Sequence, residues 1–439
     1  MTTTPPAAPA SPPGSVRTIH LSELLKRPIT GHNGESLGHL TDVIVRLRGS
    51  ELPLVIGGVV NVGGREVFVP LDQVSDFDGE ALKLSSAKID LRRFERRPGE
   101  VLLRADVLGH RLIDVEAARL VKAADLELEE RDGEWVLTGV DTRRARRGLG
   151  ALFGRGTSEP DHHTFRPWSA FEPLIGHSSS VTVRGPFGRI RRLKPAQIAD
   201  LLEEASKEEE TEILGQVHAD PELEADVFEE LDEDLATRLL GARTDAEIAE
   251  VLSRMRADDA ADAVAELPQQ RRQPVLDLLP VGQRTKVLTL MGFNPTSAGG
   301  LMGLDFLVLP AGASVREALD AVRESRTLQP EALTSVHAMI EDGRLLGVAK
   351  LVTLLQSDPD APLRQVCDTD PVRVGPDTDV VDVAVLMSDY NLITIPVVTE
   401  RREMIGIITV DDVLETTLPD DWRRREVAQP PDAHVGDGQ

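Results

Sequence analysis

A recurring 17-residue helical pattern is the feature that most constrains the fold. Its copies begin at Leu201, Val227, Val251 and Val275, a spacing of 24 to 26 residues. Within each copy, apolar residues recur at i, i+3, i+4 and i+7 among many Ala, Leu, Glu and Asp residues, which is typical of amphipathic helices. A unit of that length cannot bury its apolar stripe alone. Residues 191–303 are therefore predicted to stack as an all-α helical-repeat solenoid.

The net charge of the chain comes entirely from its second half. Formal charges cancel from Met1 to Ile190, so residues 191–439 carry the whole net charge of −25. An acidic surface of this kind repels itself unless cations or a basic partner are present. It argues against nucleic acid as a partner, and the aromatic content of 3% offers few side chains on which bases could stack.

Composition excludes several classes of site. The only cysteine, Cys367, rules out an intramolecular disulfide and a cysteine-built zinc or iron–sulfur site. We find no triad or paired-acid arrangement, so we do not expect an enzyme. No apolar run approaches the roughly 20 residues that cross a bilayer. Residues 1–16 and 419–439 are interpreted as disordered tails, and the first is not a signal peptide. We therefore expect a cytoplasmic protein.

Short β-branched runs separated by Gly, Asp and Asn fill the neutral half, and they predict a small, strongly bent β-barrel or sandwich that is present twice. The segments ITGHNGESLGHLTDVIV and DVLGHRLIDVEAARLVKAADLEL resemble the PRC-barrel family. The resemblance spans roughly Leu21 to Leu149 and implies binding or adaptor modules that recognise a protein partner. We place the two PRC-barrel-like domains at 17–98 and 99–150.

Two basic clusters flank a predicted linker at 151–190. They consist of Arg143, Arg144, Arg146 and Arg147, and of Arg189, Arg191, Arg192 and Lys194. The clusters could contact a membrane surface together with Phe153. The interpretation we favour is that these arginines pair with the acidic half. We interpret the adjacent His162 and His163 as exposed residues rather than metal ligands.

Two carboxylates in the third repeat are candidates for a cation site. Asp258 and Asp262 are four residues apart, so a helix places them on one face. Like charges at that spacing destabilise a helix unless something neutralises them, and oxygen ligands suit Mg²⁺. The alternative, a solvated acidic face, is favoured by the spacing alone.

The order of motifs in the second half resembles a known family. LKPAQIADLLEE, EELDEDL, RADDAADAVAELP and NPTSAGGLM resemble the intracellular N domain of the MgtE magnesium transporter family. From Phe306 to about Leu418, a strand–helix–strand–strand–helix pattern occurs twice and resembles a CBS pair, an α/β module, with domains at 304–356 and 357–418. The resemblance implies a homodimer formed through the helical faces of the pair.

The CBS resemblance also implies a nucleotide site. In its G-h-h-T-x-x-D segment, the Asp accepts hydrogen bonds from ribose hydroxyls and the helix N-terminus favours phosphate. The matching residues are Thr409 and Asp412, which would bind an adenine nucleotide. Lys350 and Thr353 stand at these positions in the first copy, so at most one such site is predicted. The alternative is that Asp412 only caps a helix.

The MgtE resemblance implies a Mg²⁺ site between the helical domain and the CBS pair, with Asp258, Asp262, Asp412 and Asp420 as ligands. Other acidic positions of the family are replaced here by Asn391, Arg423 and Arg424, which puts strong Mg²⁺ gating in doubt. The resemblance stops near Leu418, where the family continues into membrane helices. We therefore do not expect this chain to transport Mg²⁺.

Three functional hypotheses follow. The favoured one is a cytosolic regulatory or adaptor protein that senses Mg²⁺, an adenine nucleotide, or both, because a ligand that binds one conformation better would shift the population toward it. The second is a constitutive scaffold with decayed ligand sites. The third is a soluble accessory subunit of a membrane ion transporter, docked through the arginines at 143–147.

Overall fold

The structure is a computed structural model that describes residues 17–31, 33–49, 51–77, 79–85, 90–97, 99–142, 165–174 and 188–418. It divides into two compact units, Met1–Val227 and Phe228–Gln439. Within the described ranges, no helix combines the length and the apolar character that crossing a bilayer requires.

The first unit is rich in strands. They are β1 Thr18–His20, β2 Pro28–Thr30, β3 Ser36–Arg48, β4 Glu51–Val62, β5 Arg65–Pro70, β6 Val74–Asp76, β7 Leu82–Leu84, β8 Glu100–Leu102, β9 Arg111–Asp114, β10 Arg119–Lys122, β11 Asp125–Arg131, β12 Glu134–Asp141, β13 Arg166–Pro167 and β14 Phe171–Pro173. The main sheet has the order β1-β11-β12-β4-β3-β2-β7-β6, with β13 beside β12, β5 beside β4 and β8 beside β3. A smaller sheet has the order β10-β9-β14.

Strands from both predicted PRC-type copies share the main sheet. The register pairs Val136 of β12 with Leu54 of β4, and one apolar core contains buried residues of both stretches, including Leu24 and Leu128. Across the described residues the strand order is open, so two closed barrels are not confirmed. The physical reason is size, because a stretch of about 50 residues rarely buries a sufficient core alone.

A buried carboxylate ties the two stretches together. Asp42 on β3 accepts hydrogen bonds from the backbone N–H groups of Arg104 at 2.8 Å and Ala105 at 3.0 Å. These two residues lie in a π-helical turn, Leu103–Val107. Burial raises the pKa of Asp42 to about 6, although the backbone donors oppose that shift. The carboxylate thus provides partners for two backbone N–H groups of this turn.

The predicted linker is only partly described. The arginines at 143–147, Phe153, His162 and His163 lie outside the described residues. In the second basic cluster, Arg189 donates to the carbonyl oxygens of Trp168 at 3.2 Å and Phe171 at 2.5 Å. Arg191 lies 3.4 Å from the carboxylate of Asp220. The Arg191 contact is of the kind that the pairing interpretation predicts.

Short helices follow the sheets. Those that begin in the first unit are α1 Leu21–Leu24, α2 Pro195–Glu204, α3 Lys207–Val217 and α4 Pro221–Glu229. Ser206 and Glu209 form a capping box at the start of α3. Arg111 of β9 pairs with the same Glu209 carboxylate and lies 3.4 Å from the carbonyl oxygen of Glu204. The smaller sheet is therefore fastened to the first helices of the array.

The second unit continues the helices and adds two small sheets. Its elements are α5 Glu233–Gly241, α6 Asp245–Leu252, α7 Ala257–Glu266, α8 Gln269–Leu278, α9 Val281–Leu290, α10 Ala298–Leu301, β15 Val308–Pro310, α11 Val315–Glu324, β16 Ser335–Met339, β17 Leu345–Lys350, α12 Leu351–Gln356, α13 Leu363–Val366, α14 Val380–Tyr390, β18 Thr394–Val398, β19 Met404–Thr409 and α15 Val410–Thr417.

The helical repeat is confirmed, and each repeat consists of two short helices. Helices α2, α4, α6 and α8 begin at residues 195, 221, 245 and 269, and α3, α5, α7 and α9 at 207, 233, 257 and 281. In the second unit α6 packs on α8, and α7 on α9. Each 17-residue sequence pattern spans the end of one helix, a turn and the next helix.

The CBS pair contains two similar halves. In the first, β15-β16-β17 form a sheet followed by α12, and in the second, β18 and β19 form a hairpin followed by α15. Ser335 on β16 and Thr394 on β18 stand at equivalent positions, and their hydroxyl oxygens are 3.0 Å apart. In SAGGLM, a Cβ on Gly300 would lie 2.4 Å from the carbonyl oxygen of Asn294, so only glycine fits there.

We predict that Leu128→Ala lowers the free energy of unfolding of the first unit by about 2–5 kcal/mol, because Leu128 is fully buried in the shared core. Hydrogen exchange should show faster opening of β3 and β4 as well as β11 and β12. The matched control is Leu91→Ala, at a leucine that is 57% exposed. Faster exchange confined to β11 and β12 would contradict a shared core.

Candidate functional site

Thr409 and Asp412 form a reciprocal cap at the start of α15. Asp412 Oδ2 accepts from the Thr409 backbone N–H at 2.9 Å and from its hydroxyl at 2.8 Å. The Asp412 backbone N–H donates to Thr409 Oγ1 at 3.3 Å. Both residues are buried. The predicted helix start is present, and the cap satisfies two backbone donors that a helix terminus otherwise leaves unpaired.

The first CBS copy lacks this cap. Lys350 precedes α12 without a side-chain capping bond, and Thr353 lies inside that helix. Since neither of these two side chains forms a cap like the Thr409–Asp412 pair, the two halves differ at this helix start.

Three aspartates of the third repeat lie on α7. Asp258 and Asp259 are in its first turn, and Asp262 is one turn further along. Asp258 interacts electrostatically with Asp412, which raises the pKa of the Asp258 carboxyl in addition to the larger effect of burial. The structure therefore brings Asp258 and Asp412 into one cluster.

Arg256, which directly precedes α7, occupies the centre of this cluster. Its Nη1 donates to Asp412 Oδ1 at 2.9 Å, and its Nε donates to Asp259 Oδ2 at 2.7 Å. Its backbone N–H donates to Glu229 at 2.5 Å, and its Nη2 lies 3.7 Å from Glu415. One guanidinium thus links carboxylates of α7 and α15.

The electrostatics of the cluster follow from burial and from this one cation. Burial lowers the pKa of Arg256, but Asp259, Asp258 and Asp412 raise it more, so it lies above its ordinary value. Burial and the Asp258 charge raise the pKa of Asp259 well above its usual range. The guanidinium therefore stays protonated at any physiological pH.

Asp262 lies at the edge of the cluster. Burial, then repulsion from Asp258, Glu233 and Glu266, raises the pKa of its carboxyl from 3.8 to about 6. Because the residue keeps a large exposed surface, we regard the surrounding negative charge as the firmer cause. The i, i+4 pair predicted from sequence is therefore present as a repulsive pair.

The cluster does not fit a metal ion in this arrangement. Among the described residues, no three or more His, Cys, Asp or Glu side chains are grouped so that they could hold one. Both oxygens of Asp412 already accept hydrogen bonds, from Arg256 and from Thr409. Asp420, Arg423 and Arg424 lie outside the described residues.

Asn391 has a structural reason for its identity. It ends α14 in the left-handed conformation, with φ 50° and ψ 52°, which Asn tolerates better than most residues. The sequence comparison placed a family acid here, and this replacement removes one carboxylate while stabilising the helix end.

An open cavity of about 490 Å³ lies elsewhere in the second CBS half. Its lining comprises residues 373–378 and 398–400. Thr394 pairs with Thr409 at one end of the β18–β19 hairpin, whereas Val398 pairs with Met404 at the other. The cavity is therefore at the opposite end of the hairpin from Thr409.

Two family models match the chain. The MgtE intracellular N domain matches residues 193–296, and the CBS domain matches residues 363–418. The magnesium transporter MgtE of Thermus thermophilus is 35% identical over 161 residues, which is 36% of each chain. That of Bacillus subtilis is 23% identical over 231 residues, 52% of this chain and 50% of the transporter. The chain thus spans half or less of these relatives.

Two solved structures are also similar to part of this chain. The cytosolic domain of the Mg²⁺ channel MgtE in complex with ATP is 29% identical, with a TM-score of 0.47, over 52% of this chain and 92% of that chain. The soluble part of a magnesium transporter is 22% identical, with a TM-score of 0.46. The chain contains an MgtE N domain and a CBS domain, and this region is homologous to the cytosolic region of MgtE.

We predict that Thr409→Ala lowers the free energy of unfolding of the second unit by about 1 kcal/mol, because the hydroxyl that caps α15 is lost. Thr409→Ser should keep most of the stability. The control is Thr416→Ala on the exposed part of the same helix. Denaturant unfolding measures the difference, and equal losses at Thr409 and Thr416 would contradict the capping role.

We predict that Asp262→Asn flattens the pH dependence of stability. The folded-state pKa of about 6 exceeds the unfolded value near 3.8. The folded state therefore binds this proton more tightly, and the stability from it is lost as pH rises through about 6. Denaturant unfolding at about pH 4, 5, 6 and 7 should show a smaller decline in the variant. The exposed Asp389→Asn should follow the wild type, and parallel profiles for all three proteins would refute the assignment.

Proposed function

We propose that this protein is an intracellular regulatory or adaptor protein and not itself a transporter. Its MgtE N-type region and CBS pair would sense Mg²⁺, an adenine nucleotide, or both. The observation that carries the proposal is the contact between α7 and α15, where Asp258 of the helical array and Asp412 of the CBS pair share one cluster. A ligand that changes this contact would change the conformation of the whole second unit.

The Mg²⁺ part of the proposal draws on the homology. The matched relatives are named magnesium transporters, and the ligands proposed for this chain are Asp258, Asp262, Asp412 and Asp420. In the present arrangement the donor set does not fit a metal ion, so binding would require Asp412 to exchange partners.

The nucleotide part rests on the motif that contains Thr409 and Asp412. Each carboxylate oxygen has two lone pairs, so the capping bonds of Asp412 leave acceptor capacity for a ribose hydroxyl. The N-terminus of the eight-residue helix α15 would favour a phosphate group.

The sheet-rich half is proposed to bind a protein partner, as its PRC-type sequence pattern suggests. Arg111 fastens the smaller sheet to Glu209 at the start of α3, so an event at the sheet has a direct path to the first repeat. The PRC-type domain boundaries at 98 and 150 remain part of this proposal.

A constitutive scaffold is the second candidate, and one observation favours it. The cluster of acids is already neutralised in part by Arg256, so a ligand is not required to hold α7 against α15. Lys350 in place of a capping Thr points in the same direction.

A homodimer through the CBS helices is also proposed. Val381 and Val385 form an exposed i, i+4 apolar stripe on α14, and Leu414 on the adjacent α15 is exposed too. Apolar side chains arranged in this way favour association with a complementary helical face. A second copy of the chain would offer the same stripe, as two-fold symmetry requires.

We predict that Val385→Asp shifts the protein from dimer to monomer, because a charge in an apolar interface loses its hydration without gaining a partner. Sedimentation velocity at micromolar concentration measures the mass. The control is Leu278→Asp, at a leucine of α8 that is 55% exposed and distant in sequence from the CBS pair. A monomeric wild type, or dissociation by both variants, would contradict this interface.

We predict that ATP or AMP raises the unfolding midpoint of the full chain, since a ligand that binds only the folded state stabilises it by mass action. Thermal unfolding with each nucleotide, with and without Mg²⁺, separates the two ligands, and Ca²⁺ and monovalent salt at matched ionic strength are the controls. Asp412→Asn should reduce a nucleotide response. If no ligand produces a specific shift, the scaffold candidate replaces the sensor.

A further inference from the structure

Arg256 is a cation that the chain itself places among its acids. Its side chain is 24% exposed, and its partners Asp412, Glu229 and Asp259 are 9%, 14% and 22% exposed. A carboxylate buried to this degree is costly unless a positive charge lies close to it. The guanidinium supplies that charge without an ion from solution.

We propose that the Arg256 guanidinium takes the place of a divalent cation at the contact between α7 and α15, so that this contact forms without metal. The inference rests on the proposed function only in treating this contact as the regulated one, and it sets Mg²⁺ aside as the ligand of this contact. It identifies Arg256 as the residue that decides which cation the cluster accepts.

The geometry of the guanidinium suits this role. Its planar fork presents donors in several directions, and Nε and Nη1 donate to Asp259 and Asp412 at 2.7 and 2.9 Å. Nη2 faces Glu415 at 3.7 Å, and Nε also lies 3.5 Å from Glu229. Carboxylates of three helices, α4, α7 and α15, therefore surround one positive group.

Competition for the same oxygens disfavours a free divalent ion. Mg²⁺ requires oxygens at about 2.0–2.1 Å in near-octahedral geometry. Asp412 Oδ1 accepts a hydrogen bond from Arg256, and Oδ2 accepts hydrogen bonds from the backbone N–H and the hydroxyl of Thr409. An incoming ion would have to displace the guanidinium, which is covalently tethered one residue before α7 and so is always present at high local concentration.

Neighbouring basic residues do not duplicate this arrangement. Arg254, two residues earlier, bonds to the Glu250 carbonyl oxygen at 3.0 Å and lies 3.7 Å from the Glu250 carboxylate. Arg254 thus contacts the end of α6, the helix that precedes it. It provides a control of the same residue type two positions from Arg256.

The experiment compares the full chain with Arg256→Met, Arg256→Lys and the control Arg254→Met in thermal unfolding, in EDTA and in about 10 mM Mg²⁺ or Ca²⁺ at equal ionic strength. Methionine keeps much of the aliphatic length and removes the charge, whereas lysine keeps the charge. Wild type should shift by less than about 1 °C with Mg²⁺. Arg256→Met should melt roughly 5–10 °C lower in EDTA and recover at least half of that loss with Mg²⁺.

Arg256→Lys should fall between wild type and Arg256→Met and show little Mg²⁺ response. It remains informative if the Met variant does not fold. If Mg²⁺ raised the midpoint of the Lys variant to that of the wild type, the proposal would be overturned. A wild type that is stabilised by Mg²⁺ as strongly as Arg256→Met also overturns it, while leaving Mg²⁺ sensing intact. Equal midpoints for Arg256→Met and Arg254→Met, or a loss without Mg²⁺ recovery, overturn it as well. The nucleotide responses are measured separately and decide the proposed function independently.

Discussion

The second unit depends on one guanidinium that neutralises carboxylates of α4, α7 and α15. Arg256 lies within 4 Å of Asp259, Asp412 and Glu229, whose side chains are largely buried. Breaking a buried ion pair by removing one partner is strongly destabilising, because it leaves uncompensated charge. The packing of the helical array on the last CBS helix therefore rests on an electrostatic balance as well as on apolar burial.

Periodicity explains which parts of the fold the sequence predicts. The 24-residue helical repeat and the two CBS halves depend on local patterns, and both are present. The fold of the sheet-rich half is harder to predict from sequence, because strand partners are set by contacts distant in sequence. Short apolar runs predicted two barrels, whereas Val136 pairs with Leu54 and brings both stretches into one sheet. No local signal distinguishes that pairing from a pairing within each stretch.

The candidate site shows the same limit at the level of single residues. The CBS resemblance pointed to Thr409 and Asp412, and residue spacing placed Asp258 and Asp262 on one helical face. It did not identify Arg256, although the residue stands in the quoted motif RADDAADAVAELP, because nothing in the spacing shows that α15 lies within reach of α7. A basic residue just before an acidic helix start was the available signal. It also opposes the helix dipole, and such a conflict between local preference and position is a reason to look for a distant partner.

Glu209 has two roles, since its carboxylate completes the capping box of α3 and also receives Arg111 of β9. The start of one repeat helix is therefore specified partly by a residue that precedes the helical array by about 80 positions. The Arg111–Glu209 ion pair therefore crosses the boundary at which the sequence changes from strands to helices. A recombination event at that boundary would separate Glu209 from its ion-pair partner Arg111, so the sheets and the first repeats are expected to be inherited together.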